Sequence, residues 1–358
     1  KIYKLKVLYF TKYTRKGASS RLRSYQYFPK LKEQGIQVEV SPLFNDEYLS
    51  KIYTGEKPRG QILKAYLKRF LILFKVLNYD CVIIEYELFA YFPPIFERLL
   101  IFFRVKYIVD YDDAVFHNYD KHSNPLVRKF LGRKIDNVMK YSSCVIAGNS
   151  YLANKAKSAG AKQVVIIPTV IDQERYEQKK IFSSKNLKIG WIGSPSTFLY
   201  LNGITNILEK FGQNRDIEIH IVGSKEKLNL KNVKEIYYEW LENIEVETIL
   251  NFDVGIMPLE NTLWAKGKCS YKLIQYMACG LPIIASPVGM NKQVIDHGKN
   301  GFLAKTEEDW IDAFGALYKN SELQKRLGEK GLKKIDEIYN LEIQSKKLLI
   351  IITEVSKS

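Results

Sequence analysis

The sequence predicts an α/β protein made of two doubly wound, Rossmann-like domains with a cleft between them. Three observations predict it. Short apolar runs alternate with amphipathic helical segments along the whole chain, as parallel α/β layers require. About six such strands precede Pro168 and about six follow Lys188. Between them, Gln173–Asn186 is polar and lysine-rich and reads as a linker. With 358 residues the chain has room for two ordinary domains. The expected division is 1–172, 173–335 and a terminal helical segment, 336–358.

The first half opens with the strand Leu5–Phe10. No apolar leader followed by small residues is seen at Lys1–Phe10, so no targeting segment is expected there. The loop Thr11–Arg23 holds Gly17, two serines suited to capping a helix, and five basic residues. Arg21 and Arg23 are candidates for gripping a phosphate through the guanidinium fork. The alternative is a helix cap with solvated arginines. The helix Ser20–Glu33 leads to strands Gln37–Leu43, Cys81–Glu85, Tyr107–Asp110, Cys144–Ala147 and Val164–Pro168. Helices Pro125–Tyr141 and Tyr151–Ser158 fall among them. The second half gives strands Lys188–Ile192, Glu218–Val222, Val233–Tyr237, Val254–Met257, Pro282–Ala285 and Phe302–Ala304. A helix follows at Asp309–Tyr318, and Leu323–Glu354 is helical in pattern.

Composition excludes several classes. A 46% hydrophobic content with 13% aromatics supports large cores and excludes disorder. The four cysteines (Cys81, Cys144, Cys269, Cys279) are dispersed without a CxxC pair, which suits a reducing compartment and excludes a zinc knot or disulfide framework. No apolar run reaches the roughly 18–20 residues of a membrane span. A cytoplasmic protein is expected.

The net charge of +16 is unevenly placed. Residues 1–165 hold about 29 Lys and Arg against about 14 Asp and Glu; the remainder holds about 26 against about 25. A one-sided basic domain implies an anionic partner. In Ile62–Leu77, Lys64, Lys68, Arg69 and Lys75 stand among leucines and aromatics, the pattern of a basic amphipathic helix in a headgroup layer. Residues 92–106 have a similar character. The plainer reading packs both helices on a sheet with solvated lysines. No recognition motif of a nucleic-acid module is visible.

Residues 264–289 are the most informative segment. Lys266, Lys268 and Lys272 crowd a glycine where a helix should start; Leu273, Ile274, Met277 and Ala278 give that helix an apolar face, and Gly280-Leu281-Pro282 ends it. A helix N-terminus favours an anion, and lysines there suit a phosphate. The alternative is a solvated helix edge. Upstream, the strand Lys188–Ile192 ends in Gly193-Ser194-Pro195-Ser196-Thr197, a backbone-and-hydroxyl cradle for phosphate before a helix. Asp110-Tyr111-Asp112-Asp113 ends another strand, and three carboxylates so close persist where they meet a ligand, a cation or a basic neighbour. The alternative makes Asp113 a helix cap and pairs Asp110 with a lysine. The histidines His122, His220 and His297 show no partner in the sequence.

The stretch Tyr276-Met277-Ala278-Cys279-Gly280-Leu281-Pro282-Ile283-Ile284-Ala285-Ser286-Pro287-Val288-Gly289 resembles the donor-site motif of family-4 (group 1) retaining glycosyltransferases of the GT-B fold. Gly148–Ala153, Ile166–Asp172, Phe252–Leu259 and Gly298–Leu303 extend the resemblance over most of the chain. Family members usually carry two glutamates eight positions apart in this region. Here those positions hold Gly267 and Gln275, so both acids are missing. A glutamine amide can still hydrogen-bond a ribose. An arginine and a lysine that often follow the second-domain glycine are also missing between Gly193 and Glu209.

The resemblance implies a nucleotide diphosphate sugar as substrate, with UDP ahead of GDP, no cofactor and no metal. It places the donor at Gly17, Gly193, Ser194, Ser196, Thr197, Gly267 and Gln275. Lys268 and Lys272 are expected to neutralise the leaving diphosphate. Asp112 takes the place of a histidine near the reacting sugar, with Asp113 beside it. A glycan or lipid-linked acceptor is expected over the basic domain, at an anionic membrane surface, in cell-surface polysaccharide assembly. The end of the chain is expected to cross back to brace the first domain. Two other readings compete: a sugar-nucleotide epimerase of the same fold, and a binding protein that kept the fold and lost catalysis.

Overall fold

The central strands are short apolar runs, because β-branched and aromatic side chains buried on both faces leave no polar side to solvate, while the edge strands Gln37–Val40 and Lys234–Tyr238 carry polar residues. A computed structural model describes residues 5–53, 59–182 and 185–357. Within these, the strands are β1 (Lys6–Phe10), β2 (Gln37–Val40), β3 (Cys81–Glu85), β4 (Tyr107–Tyr111), β5 (Cys144–Ala147) and β6 (Val164–Ile166), then β7 (Leu187–Ile192), β8 (Ile217–Val222), β9 (Lys234–Tyr238), β10 (Val254–Met257), β11 (Ile283–Ala285) and β12 (Gly301–Leu303). They form two six-stranded parallel sheets, ordered β2-β1-β3-β4-β5-β6 and β12-β11-β10-β7-β8-β9. The expected linker Gln173–Asn186 runs through residues 183–184, and the expected start includes residues 1–4; both stretches lie outside the described residues.

The chain divides into two units. One comprises Lys1–Thr169, Gly267–Cys269 and Leu341–Ser358; the other comprises Val170–Lys266 and Ser270–Asn340. In the first, β3 and β4 are buried along their whole length, and Val7, Leu8, Phe10, Ile84 and Ile108 fill the centre. The helix Leu341–Lys357 belongs to this unit, where Lys347 Nζ donates to the Ile166 carbonyl and Glu342 pairs with Lys30 at 3.3 Å. In the second, Leu187, Ile189, Trp191, Ile219, Ile221 and Phe314 lie in one continuous core.

Several helices are shorter than expected. Ser20–Glu33 is broken into Ala18–Arg23, a single 3-10 turn and Phe28–Glu33, because Pro29 suits only a first helical turn. Pro125–Tyr141 splits at Gly132-Arg133 into Pro125–Leu131 and Lys134–Tyr141. Leu323–Glu354 splits into Ser321–Glu337 and Leu341–Lys357, where the Asn340 amide donates to the Asp336 carbonyl and closes the first helix.

In each sheet the strand order reverses once, between β1 and β3 and between β7 and β10. Ligands of open α/β sheets bind at that reversal, beyond the carboxyl ends of the strands. This fixes which loops to read.

Candidate active site

In the first unit the reversal is closed by a buried carboxylate. Glu85 ends β3 and is 3% exposed. It accepts the Lys12 backbone N–H at 2.9 Å, the Ser19 hydroxyl at 3.0 Å and the Ser20 hydroxyl at 2.6 Å. Burial outweighs these donors and pushes its carboxyl up to about 7. The next residue, Tyr86, has φ +64°, a left-handed conformation that bulky side chains rarely adopt. That turn lets its hydroxyl donate to Asp112, just past β4. Asp113 is pushed up to about 6, mainly by burial and against the pull of Lys268. Its Oδ1 accepts the Ala114 N–H at 3.0 Å.

Gly267–Cys269 completes this cluster. The Asn149 amide donates to the carbonyls of Gly267 at 2.8 Å and Lys268 at 3.1 Å, and the Cys269 thiol lies 3.1 Å from the Asp112 carbonyl. A Cβ on Gly267 would come within 2.5 Å of the Ala114 Cβ, so only glycine allows this approach.

In the second unit the reversal carries the turn after β7. Ser194 caps the helix Pro195–Asn202, with Thr197 closing the reciprocal capping box, and the hydroxyls of Ser194 and Ser196 are 2.9 Å apart. Gly193 is required here as well: a Cβ would meet the Trp191 ring at 2.1 Å. Lys272, in the first turn of the helix Tyr271–Ala278, places its Nζ 4.4 Å from the Trp191 ring centre and 3.4 Å from the Thr197 hydroxyl. A cation, three hydroxyls and the N-terminus of the Pro195–Asn202 helix therefore converge, which is the chemistry of a phosphate site.

Several expected roles are corrected. Lys268 is not on a helix with Lys272. The helix begins at Tyr271, because Ser270 turns left-handed at φ +52° and its hydroxyl bonds Asn291; Lys268 groups instead with Asp112 and Asp113. Gln275 is 2% exposed and donates to the Tyr176 hydroxyl at 3.3 Å, so its amide faces the protein interior and not a ribose. Arg23 is buried, with Nε and Nη2 on Asp110 and Nη1 on the Ile167 carbonyl, so it braces the sheet end and is not placed to grip a phosphate. Asp110 pairs with this arginine rather than with a lysine. Arg21 is also buried, and Gly17 is the N-cap of the helix Ala18–Arg23.

The histidines are not without partners. His220 bonds Tyr238 and Glu218, His122 accepts from Asn124, and His297 accepts from Leu303. His117 links Asp120 at 2.8 Å to the Tyr151 hydroxyl at 2.9 Å. Glu85 and Tyr86 join the site only in the structure; the sequence signal for them is the Glu-Tyr-Glu run that ends the apolar strand Cys81–Glu85. Among the described residues no group of three or more His, Cys, Asp or Glu side chains could hold a metal ion.

Comparison with known proteins bears on this geometry. Residues 188–320 match the family model Glycosyl transferases group 1. They span the second sheet with both its Gly193 turn and its Lys272 helix. The fold is that of the GT-B glycosyltransferases. A sucrose-phosphate synthase from Thermosynechococcus elongatus aligns with a TM-score of 0.69 at 12% identity, covering 98% of this chain and 99% of that one. HepE of Anabaena in complex with UDP aligns with a TM-score of 0.68 at 13% identity, covering 98% and 100%. A glycosyltransferase from Rickettsia africae gives 0.72 at 15% identity, covering 99% of each chain. A search of curated protein sequences gave no match. The resemblance read from residues 276–289 and the two-sheet glycosyltransferase architecture therefore stand together.

Proposed function

We propose that the chain is a retaining glycosyltransferase that takes a sugar from a nucleotide diphosphate sugar, UDP in preference to GDP. The observation that carries this reading is the convergence of the Gly193–Thr197 turn with Lys272 at the strand-order reversal of the second unit. HepE binding UDP on the same fold supports a uridine donor. Lys272 and the N-terminus of the Pro195–Asn202 helix would stabilise the diphosphate as it leaves, an interaction strongest when its charge develops. The departing phosphate would take the acceptor proton on the same face, with no metal required. Asp112, held by Tyr86, would orient the acceptor or the sugar, and Lys268 would hold Asp112 and Asp113 in a charged neighbourhood.

The acceptor we propose is a glycan or lipid-linked glycan in cell-surface polysaccharide assembly, handled by the basic first unit at the cytoplasmic face of a membrane. Among the described residues no helix is long and apolar enough to cross a membrane. UDP release from a panel of UDP-sugars with lipid-linked acceptors tests the reading. We expect turnover by the wild-type chain and a loss of at least about a hundredfold in Lys272→Ala. Full activity in Asp112→Asn would remove Asp112 from the mechanism. The inward-facing Gln275 favours the second reading, a binding protein that kept the fold and lost catalysis, which predicts no UDP release with any sugar.

A further inference from the structure

The helix Arg59–Leu73 of the first unit buries an arginine and exposes leucines. Its inner face carries Arg69, 1% exposed, whose guanidinium donates to the carbonyls of Thr11, Ser41 and Leu88. Its outer face carries Leu63, Leu67 and Leu71, and Phe74 continues the same stripe one turn on, 72% exposed. A helix whose outer face meets only water carries polar residues there rather than such a stripe.

The stripe does not stand alone. The Phe70 ring lies 5.3 Å from Phe74 and 5.8 Å from Phe96, centre to centre, which joins it to the helix Ile95–Phe102. That helix ends with Phe102 77% exposed. Single exposed apolar residues need no explanation, but a continuous face of this kind does.

Charge selects the occupant. Residues 62–77 hold four cationic side chains and no acid, and residues 98–106 hold Arg98, Arg104 and Lys106 with none. Since Arg69 points inward, Lys64 and Lys68 flank the leucines one position on. A second copy of the chain would bring the same positive charge against itself. An anionic bilayer supplies both an apolar interior and phosphates at its boundary.

We propose that this face docks on an anionic lipid surface, its leucine and phenylalanine side chains entering the acyl boundary and Lys64 and Lys68 meeting lipid phosphates. The inference rests on the membrane-surface part of the proposed function and is independent of the nucleotide site. It differs from a simple basic amphipathic helix in one respect: Arg69 is a structural residue, and the lipid-facing charge comes from the lysines.

The test is flotation of the full chain with phosphatidylcholine vesicles, with and without phosphatidylglycerol. Two double variants are compared, Leu67→Ser with Phe74→Ser and Lys64→Glu with Lys68→Glu. All four side chains are exposed, so melting temperature and UDP affinity should stay at wild-type values. The wild type should float with the anionic vesicles only. Loss of these two apolar side chains from the acyl boundary should weaken partitioning by at least about a hundredfold, and the charge reversals should abolish it. The proposal is overturned if the wild type stays behind with both vesicles, or if the Leu67→Ser/Phe74→Ser protein floats equally well. It is also overturned if sedimentation shows a dimer that the same variant dissociates, which would assign the face to a second copy. Flotation without UDP binding would defeat the donor-site reading and leave this one standing.

Discussion

Replacing Glu85 by Gln should make the protein more stable at alkaline pH and leave it unchanged below about pH 4. Glu85 has an ordinary value of 4.5 and is pushed to about 7 by burial. The folded state therefore holds the proton more tightly than the unfolded chain. Between 4.5 and 7 the native state binds more protons, so stability is present in full below 4.5 and falls as pH rises through 7. The difference corresponds to about 3 kcal/mol at most. Glutamine keeps the geometry: its oxygen can accept from Lys12 N–H and the Ser20 hydroxyl, and its amide can donate to Ser19. It carries no charge to bury. For a unit of this size the effect amounts to about 2–4 °C per kcal/mol. Asp113, also raised, titrates in both proteins and cancels in the comparison. The assay is thermal unfolding of both proteins from about pH 4 to about pH 8.5. The curves should coincide at the acid end and separate by several degrees above pH 7, with Glu85→Gln the more stable. Parallel curves would mean that Glu85 titrates as an ordinary carboxylate and that the buried-acid account of the first reversal is wrong.

Other outcomes follow from the same contacts. Arg23→Ala should cost about 3–5 kcal/mol in chemical denaturation, because it leaves Asp110 buried and unpaired. Gly193→Ala should force the Trp191 ring aside, lowering stability by about 1–3 kcal/mol and weakening UDP binding with it, as read by melting with and without nucleotide. Gly267→Val should disturb the first unit through Ala114 and lower the melting temperature, since a side chain there would overlap the Ala114 Cβ.

The sheets were legible because Cys81–Glu85, Cys144–Ala147 and Val254–Met257 are short apolar runs bounded by polar turns. Their parallel pairing followed from the helices between them. Helix interruptions were less visible. The one at Ser270 depends on a left-handed backbone in a non-glycine residue, which no propensity announces. This single turn starts the helix at Tyr271, so Lys268 precedes the helix that carries Lys272. The roles of Gln275 and Arg23 were misread for a related reason: their partners Tyr176 and Asp110 lie 99 and 87 residues away in the chain. Glu85 was overlooked because its donors Ser19 and Ser20 are more than sixty positions upstream. The Gly193–Thr197 turn, by contrast, is local, and local chemistry can be read from spacing alone.

Titration calorimetry of UDP into the full chain and into Lys272→Ala tests the central claim most directly. The account predicts one site in the wild type, weakened about tenfold to a hundredfold when the cation over Trp191 and beside Thr197 is removed. Absence of binding by the wild type, or equal affinity in the two proteins, would contradict it.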